Sequence, residues 1–201
     1  MLKSNITRRS AIVGLLSSSA LAMMSGPVFA VSLAGQAESL INKVVGEISS
    51  IANSGGSESS KVSRFERVFK KYADLPTITR TVLGADARNA SSGQLSSFSN
   101  AFSGYMARKY GKRFRQFIGG AVEVTSSRPV KSFYEVKTVA KLQGRSNFDV
   151  TFLVSGQSSR FFDMLIEGVS LLKSERTEIG SMLDRRKGDI NALISDLRKA
   201  G

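Results

Sequence analysis

The apolar period of this chain changes twice. Up to Phe117 the large apolar residues recur every three or four positions; from Val122 to Ile166 they recur every second position; beyond Ile179 the three-to-four spacing returns. A period near 3.6 buries one stripe of a helix, and a period of two buries one face of a strand. Helices, then a run of strands, then helices define an α+β fold.

The helical part reads in four pieces. Leu33, Ala37, Leu40, Ile41, Val44, Val45, Ile48 and Ile51 make one amphipathic stripe, followed by a Gly/Ser-rich loop at 53–60. Val62, Phe65, Val68, Phe69 and Tyr72 make a second. Pro76 can open a third, short helix that Gly84 ends. Ser91-Ser92-Gly93-Gln94 is a capping box, and the helix it opens carries Leu95, Phe98, Phe102, Met106, Tyr110, Phe114 and Phe117 on one stripe. Gly111 falls inside that stripe and costs about 1 kcal/mol against Ala, so a bend is expected there. Gly119-Gly120 ends the helical part.

Four strands with short turns follow: one around Val122 and Val124, then 130–142, 148–155 and 162–166. This is an antiparallel meander. Tyr134, Val136, Ala140 and Leu142 share one face of the second. In the last, Phe162, Met164 and Ile166 are expected inward, and Phe161, Asp163, Leu165 and Glu167 outward on a solvated face. The tail is helical again, with Ile179, Met182 and Leu183, then Asp189 capping a last helix with Ile190, Leu193, Ile194 and Leu197. No internal repeat is present.

Residues 1–30 read as an export signal. Lys3, Arg8 and Arg9 precede an apolar, small-residue run from Ala11 to Met24, and Val28-Phe29-Ala30 fits a cleavage site, so Val31 would begin the mature chain, a single domain over 31–201. The run is too short and Ser-rich to span a bilayer. Thr7-Arg8-Arg9-Ser10 resembles a twin-arginine motif, which leaves two export routes open. Export without a single cysteine suits a bacterial periplasm.

Composition narrows the chemistry. The 201 residues contain no Cys, His or Trp, which removes thiolate and imidazole nucleophiles, bases and metal ligands. No Gly-rich phosphate loop is present. An enzyme is therefore disfavoured, and no cofactor is expected. The chain is basic, with 29 Lys and Arg against 16 Asp and Glu; the signal would remove three basic residues, leaving 26 against 16, or +10. The densest cluster, Arg108 to Arg115, interleaves basic residues with Tyr110 and Phe114. On a helix the aromatics continue the core stripe while Arg108, Lys112 and Arg115 take another face, either simply solvated or in contact with an anionic partner. Export makes nucleic acid an unsuitable partner. The Phe and Met residues of helix and sheet fit either a packed core or the walls of a cavity.

Several segments together resemble the MlaC (toluene-tolerance, phospholipid-binding) family. They are Asp163 to Leu171, matching D-x-x-x-E-G-V-S-L; Leu83-Gly84 ahead of Arg88, Ala90 and Ser91; the pair Phe98 and Phe102; Tyr110; and Glu178-Ile179, Gly188, Leu193-Ile194 and Leu197 in the tail. Relatives commonly carry Trp near the position held here by Phe161-Phe162. The resemblance covers roughly 35–199. It implies a fold like the nuclear-transport-factor group, with a lipid cavity between helices and sheet, and a periplasmic shuttle that carries one phospholipid, acyl tails buried, between an outer-membrane lipoprotein–porin complex and an inner-membrane ABC transporter complex, maintaining outer-membrane asymmetry. Relatives that carry hopanoids or other polyisoprenoids, or a ligand-free periplasmic adaptor, are the alternatives. Combined with inward parity, the resemblance assigns Phe98, Phe102, Met106, Phe152, Val154, Phe162, Met164 and Ile166 to the lipid cavity. The excess charge is assigned to partner docking, through Arg108, Lys112, Arg113, Arg115, Arg185, Arg186 and Lys187.

Overall fold

The computed structural model describes residues 26–112 and 114–201, with side chains from 33 to 112 and from 116 onward. The expected signal lies mostly outside the described residues, as does Arg113. Six α-helices and a five-stranded sheet follow in order: α1 (Gly26–Asn53), α2 (Glu58–Tyr72), α3 (Leu75–Leu83), α4 (Ser92–Gly111), β1 (Ala121–Val130), β2 (Phe133–Lys141), β3 (Phe148–Ser155), β4 (Phe161–Ile166), β5 (Val169–Ser170), α5 (Leu171–Arg185) and α6 (Ile190–Lys199).

Local chemistry sets the helix ends. Ser91 Oγ accepts from Gln94 N at 3.2 Å, and Gln94 Oε1 accepts from Ser91 N at 2.9 Å, closing the capping box of α4. Asp74 caps α3, and Asp189 caps α6 through the N–H groups of Asn191 and Ala192. α3 stops at Gly84, whose φ of 62° is open to glycine; a Cβ there would also meet the Arg176 guanidinium at 2.9 Å. α4 ends at Gly111, and a 3-10 turn at Phe114–Phe117 replaces the continued helix.

The sheet is antiparallel in chain order β1-β2-β3-β4-β5. Its first strand is longer than the alternation indicated. Ser126 to Val130 extends β1, and the turn falls at Lys131-Ser132 rather than before Val130. β1 is an edge strand, where Pro129 costs no ladder hydrogen bond. A fifth strand, only two residues long, follows the turn at Glu167 and Gly168, where both backbones have positive φ (51° and 79°).

On β2, Val136, Thr138 and Ala140 are buried while Lys137 and Lys141 are exposed. The helices cover that buried face, and one continuous apolar core joins both layers.

β4 departs from simple alternation. The pairing of β3 with β4 shifts register between Leu153 and Val154, so Val154 faces Phe161 while Leu153 faces Asp163. Such a bulge changes which residues face inward. Phe161 is buried, with its ring 5.9 Å from Phe69 and 6.0 Å from Phe152. Phe162 instead meets Phe133 edge-on at 5.8 Å. Asp163 is not on a solvated face. It is buried, its Oδ1 accepts from the N–H groups of Met164 (2.7 Å) and Leu172 (2.9 Å), and its Oδ2 accepts from Ser170 Oγ at 2.6 Å. Ser170 then caps α5 through Lys173 N. The D-x-x-x-E-G-V-S segment is thus a structural knot that fixes the start of α5 against the sheet edge.

Candidate functional site: an apolar cavity between helices and sheet

A cavity of about 590 Å³ lies between the helical layer and the inner face of the sheet. Each wall follows from a stripe or a strand face. α1 contributes Val44, Val45 and Ile48, α2 contributes Phe65, Val68 and Phe69, and α4 contributes Phe102, Met106 and Tyr110. The sheet side is made by Val122, Ala140, Leu142, Val150, Phe152 and Met164. Exposed polar residues (Gln116, Arg145, Ser146, Asn147 and Glu167) also border it, from the 3-10 turn, the β2–β3 loop and the β4–β5 turn. The volume lies within the usual range for small-molecule sites.

Six of the eight residues expected at a cavity border this one: Phe102, Met106, Phe152, Phe162, Met164 and Ile166. Two do not. Phe98 is fully buried one turn before Phe102, stacked on its ring at 5.7 Å, and serves as core. Val154 is buried beside a small crevice lined by Leu33, Ala37 and Tyr134. Phe161, expected outward, is a wall residue because of the bulge.

The sequence reading also missed a polar group in the wall. Glu175 on α5 borders the cavity and is 1% exposed. Its Oε1 accepts from Lys109 Nζ at 2.8 Å and from the Tyr110 hydroxyl, while Lys109 Nζ also donates to Tyr105 Oη at 2.8 Å. Burial, together with the neighbouring carboxylate, raises the Tyr110 pKa well above the phenol range. Burial acts against the Lys109 charge, but its bonds to Glu175 and Tyr105 outweigh that and raise its pKa. The signal was present: Leu171, Glu175 and Ile179 stand at i, i+4 and i+8, so a charge interrupts an apolar stripe.

The expected docking residues divide. Arg108 donates to Leu197 O and Ala200 O (2.8 Å for the latter), closing the end of α6. Arg186 forms a two-pronged bond to Asp196 at 2.6 and 2.7 Å. Lys112, Arg185 and Lys187 are exposed, and the side chain of Arg115 lies outside the described residues.

Helices laid over one face of an open antiparallel sheet, with an apolar cavity between the layers, define a ligand-cavity domain. The MlaC protein family matches residues 38–199, and the chain belongs to that family. Among solved structures, the phospholipid-binding protein of Ralstonia solanacearum in complex with a phospholipid superimposes with a TM-score of 0.70 at 14% identity, over 81% of this chain and 95% of that one. No curated protein sequence matches this chain. None of the described helices is long and apolar enough to cross a membrane.

Proposed function

We propose that the protein is a periplasmic carrier of one phospholipid, which it moves between an outer-membrane lipoprotein–porin complex and an inner-membrane ABC transporter complex. The observation that carries this reading is the 590 Å³ apolar cavity in a domain of the MlaC family, a space that a ligand-free adaptor would have no reason to keep. The phospholipid held by the Ralstonia protein of the same fold supports it.

The energetics suit the task. Shielding one acyl chain of about 15 methylenes from water is worth roughly 12 kcal/mol, and two chains approach roughly 24 kcal/mol. A carrier must match most of this with apolar wall, and adaptable Phe and Met side chains do so over a range of tail shapes. Moving a lipid breaks no covalent bond, so the task needs no catalytic group. Residues 1–30 act as the export signal in this reading, and the mature chain begins at Val31.

Native mass spectrometry of the exported, purified protein tests the proposal. One bound phospholipid per chain is expected, and lipid extraction distinguishes it from a hopanoid. Consistently ligand-free protein, or a polyisoprenoid in its place, would overturn the reading. N-terminal sequencing of the same material, if residues 1–30 were retained, would overturn the signal.

A further inference from the structure

The charged side chains that border the cavity are Arg145, Asp163, Glu167 and Glu175. The carboxylates are all engaged within the fold. Asp163 accepts from Met164, Ser170 and Leu172, Glu175 pairs with Lys109, and Glu167 Oε1 accepts from the Asp149 N–H at 3.3 Å. Arg145 is the only cation of the described lining, and its guanidinium has neither a hydrogen bond nor an ion pair among the described residues. The β2–β3 loop holds it at the rim. Gly144 turns the chain at a φ of 72°, and the Arg145 N–H returns to Leu142 O at 3.3 Å. Leu142 before it and Phe148 after it are wall residues, so both ends of the loop are fixed to the cavity. Arg145, Ser146 and Asn147 border the cavity and are exposed, which marks this loop as part of its opening.

We propose that Arg145 is the phosphate anchor of the cavity, holding the phosphate group of a lipid whose tails lie inside. This rests on the phospholipid-carrier reading. Apolar walls grip any pair of tails alike, so they cannot tell a phospholipid from a diacylglycerol. A guanidinium can, because it presents paired N–H donors that match two phosphate oxygens. The phosphate is joined to the glycerol where the tails end, so a lipid with buried tails brings it to the opening whatever the rest of its headgroup. Glu167 on the same rim repels a phosphate, which leaves the β2–β3 loop as the favoured side. The neighbouring Ser146 and Asn147 carry further neutral donors.

The test is a competition. Protein stripped of lipid is offered equimolar dioleoylphosphatidic acid, dioleoylphosphatidylethanolamine and dioleoylglycerol, and occupancy is read by native mass spectrometry. The first and last differ only by the phosphate. Arg145→Gln should lower the ratio of each phospholipid to dioleoylglycerol about fivefold relative to the natural protein, the size of a favourable exposed ion pair. Arg145→Lys, which keeps the charge and loses the fork, should lower it about twofold. The natural protein's ratio should fall as salt rises, while that of Arg145→Gln stays flat. Lys131→Gln, in the β1–β2 turn at the other end of the sheet, should leave the ratio unchanged. An unchanged ratio in Arg145→Gln, or an equal loss in Lys131→Gln, overturns the anchor and leaves the carrier reading intact. A salt-independent ratio in the natural protein does the same, even if a variant fails to fold. So does loss of the preference in millimolar inorganic phosphate, which would assign Arg145 to a soluble anion. Uptake of none of the three lipids overturns the carrier reading and the anchor with it.

Discussion

Asp163 receives the N–H of its β4 neighbour Met164, and the N–H of Leu172 and the hydroxyl of Ser170 from the start of α5, in a place nearly closed to water. Truncation leaves those donors unpaired, so Asp163→Ala should cost about 3 kcal/mol, and Asp163→Asn, which keeps one acceptor oxygen, about 1 kcal/mol. Urea unfolding checks both, as a lower midpoint at unchanged slope. Met164 faces the cavity opposite Phe152, so Met164→Glu puts an unpaired carboxylate where an acyl tail would lie, at a cost of several kcal/mol to ionised burial. A folded variant that copurifies with a full complement of lipid would refute that placement. Lys109 and Tyr110 both have folded-state pKa values raised above their ordinary 10.5 and 10.0, so the folded state holds their protons more tightly than the unfolded one. Their contribution is fully present below about pH 10 and is lost as pH rises through the folded values. The melting temperature should therefore fall between pH 10 and 12, and Lys109→Met with Tyr110→Phe should flatten that fall.

Besides apolar packing, Arg108 ties α4 to the end of α6, and Lys112 Nζ, just past α4, donates to Gly201 O at 3.1 Å. Arg108 satisfies two of the orphan carbonyls that any helix leaves at its C-terminus. Arg108→Ala should destabilise by about 1–2 kcal/mol and raise amide exchange in the last turn of α6 ahead of the rest of the molecule. The same variant should leave partner association unchanged. A loss of association at unchanged α6 protection would restore Arg108 to the docking set. At the other end of α4, the capping box makes Ser91→Ala a loss of about 1 kcal/mol, read by thermal melting.

For the molecule as a whole, lipid binding and charge act on separate quantities. A ligand that binds only the folded state stabilises it by about 4 kcal/mol at a thousandfold excess over Kd, so delipidation should lower the melting temperature markedly. In the proposed carrier, a chain beginning at Val31 would carry +10, more than one headgroup needs. That excess would serve encounter with the two proposed membrane complexes, where steering raises association rates more than it deepens the bound state. Reversing the exposed Lys112, Arg185 and Lys187 to Glu should slow association, with the effect fading as salt rises and with lipid content nearly constant. Loss of lipid at unchanged association rates would place these residues on the headgroup instead.

Periodicity, caps and glycines made the α+β order legible, because each of these signals is local. The stripe of α4, its capping box, the stop at Gly84 and the Asp189 cap depend on residues within a few positions of one another, and the chain obeys them. The walls of the cavity were legible where parity held, at Met106, Phe152 and Met164. They were illegible where pairing with a neighbour intervened. The register shift between β3 and β4 brought Phe161 inward, a consequence of strand pairing that no alternation within β4 encodes. Phe98 and Phe102 share a stripe and are equally buried, yet only Phe102 borders the cavity, which a one-turn spacing along the helix does not announce. Charges were least legible of all. Arg108 and Asp163 look like ordinary polar residues along the chain, and Glu175 shows only as a charge breaking an apolar stripe. Their partners lie 89 and 92 residues away for Arg108 and 66 residues away for Glu175, and a buried charge finds its meaning only in the groups that folding brings beside it.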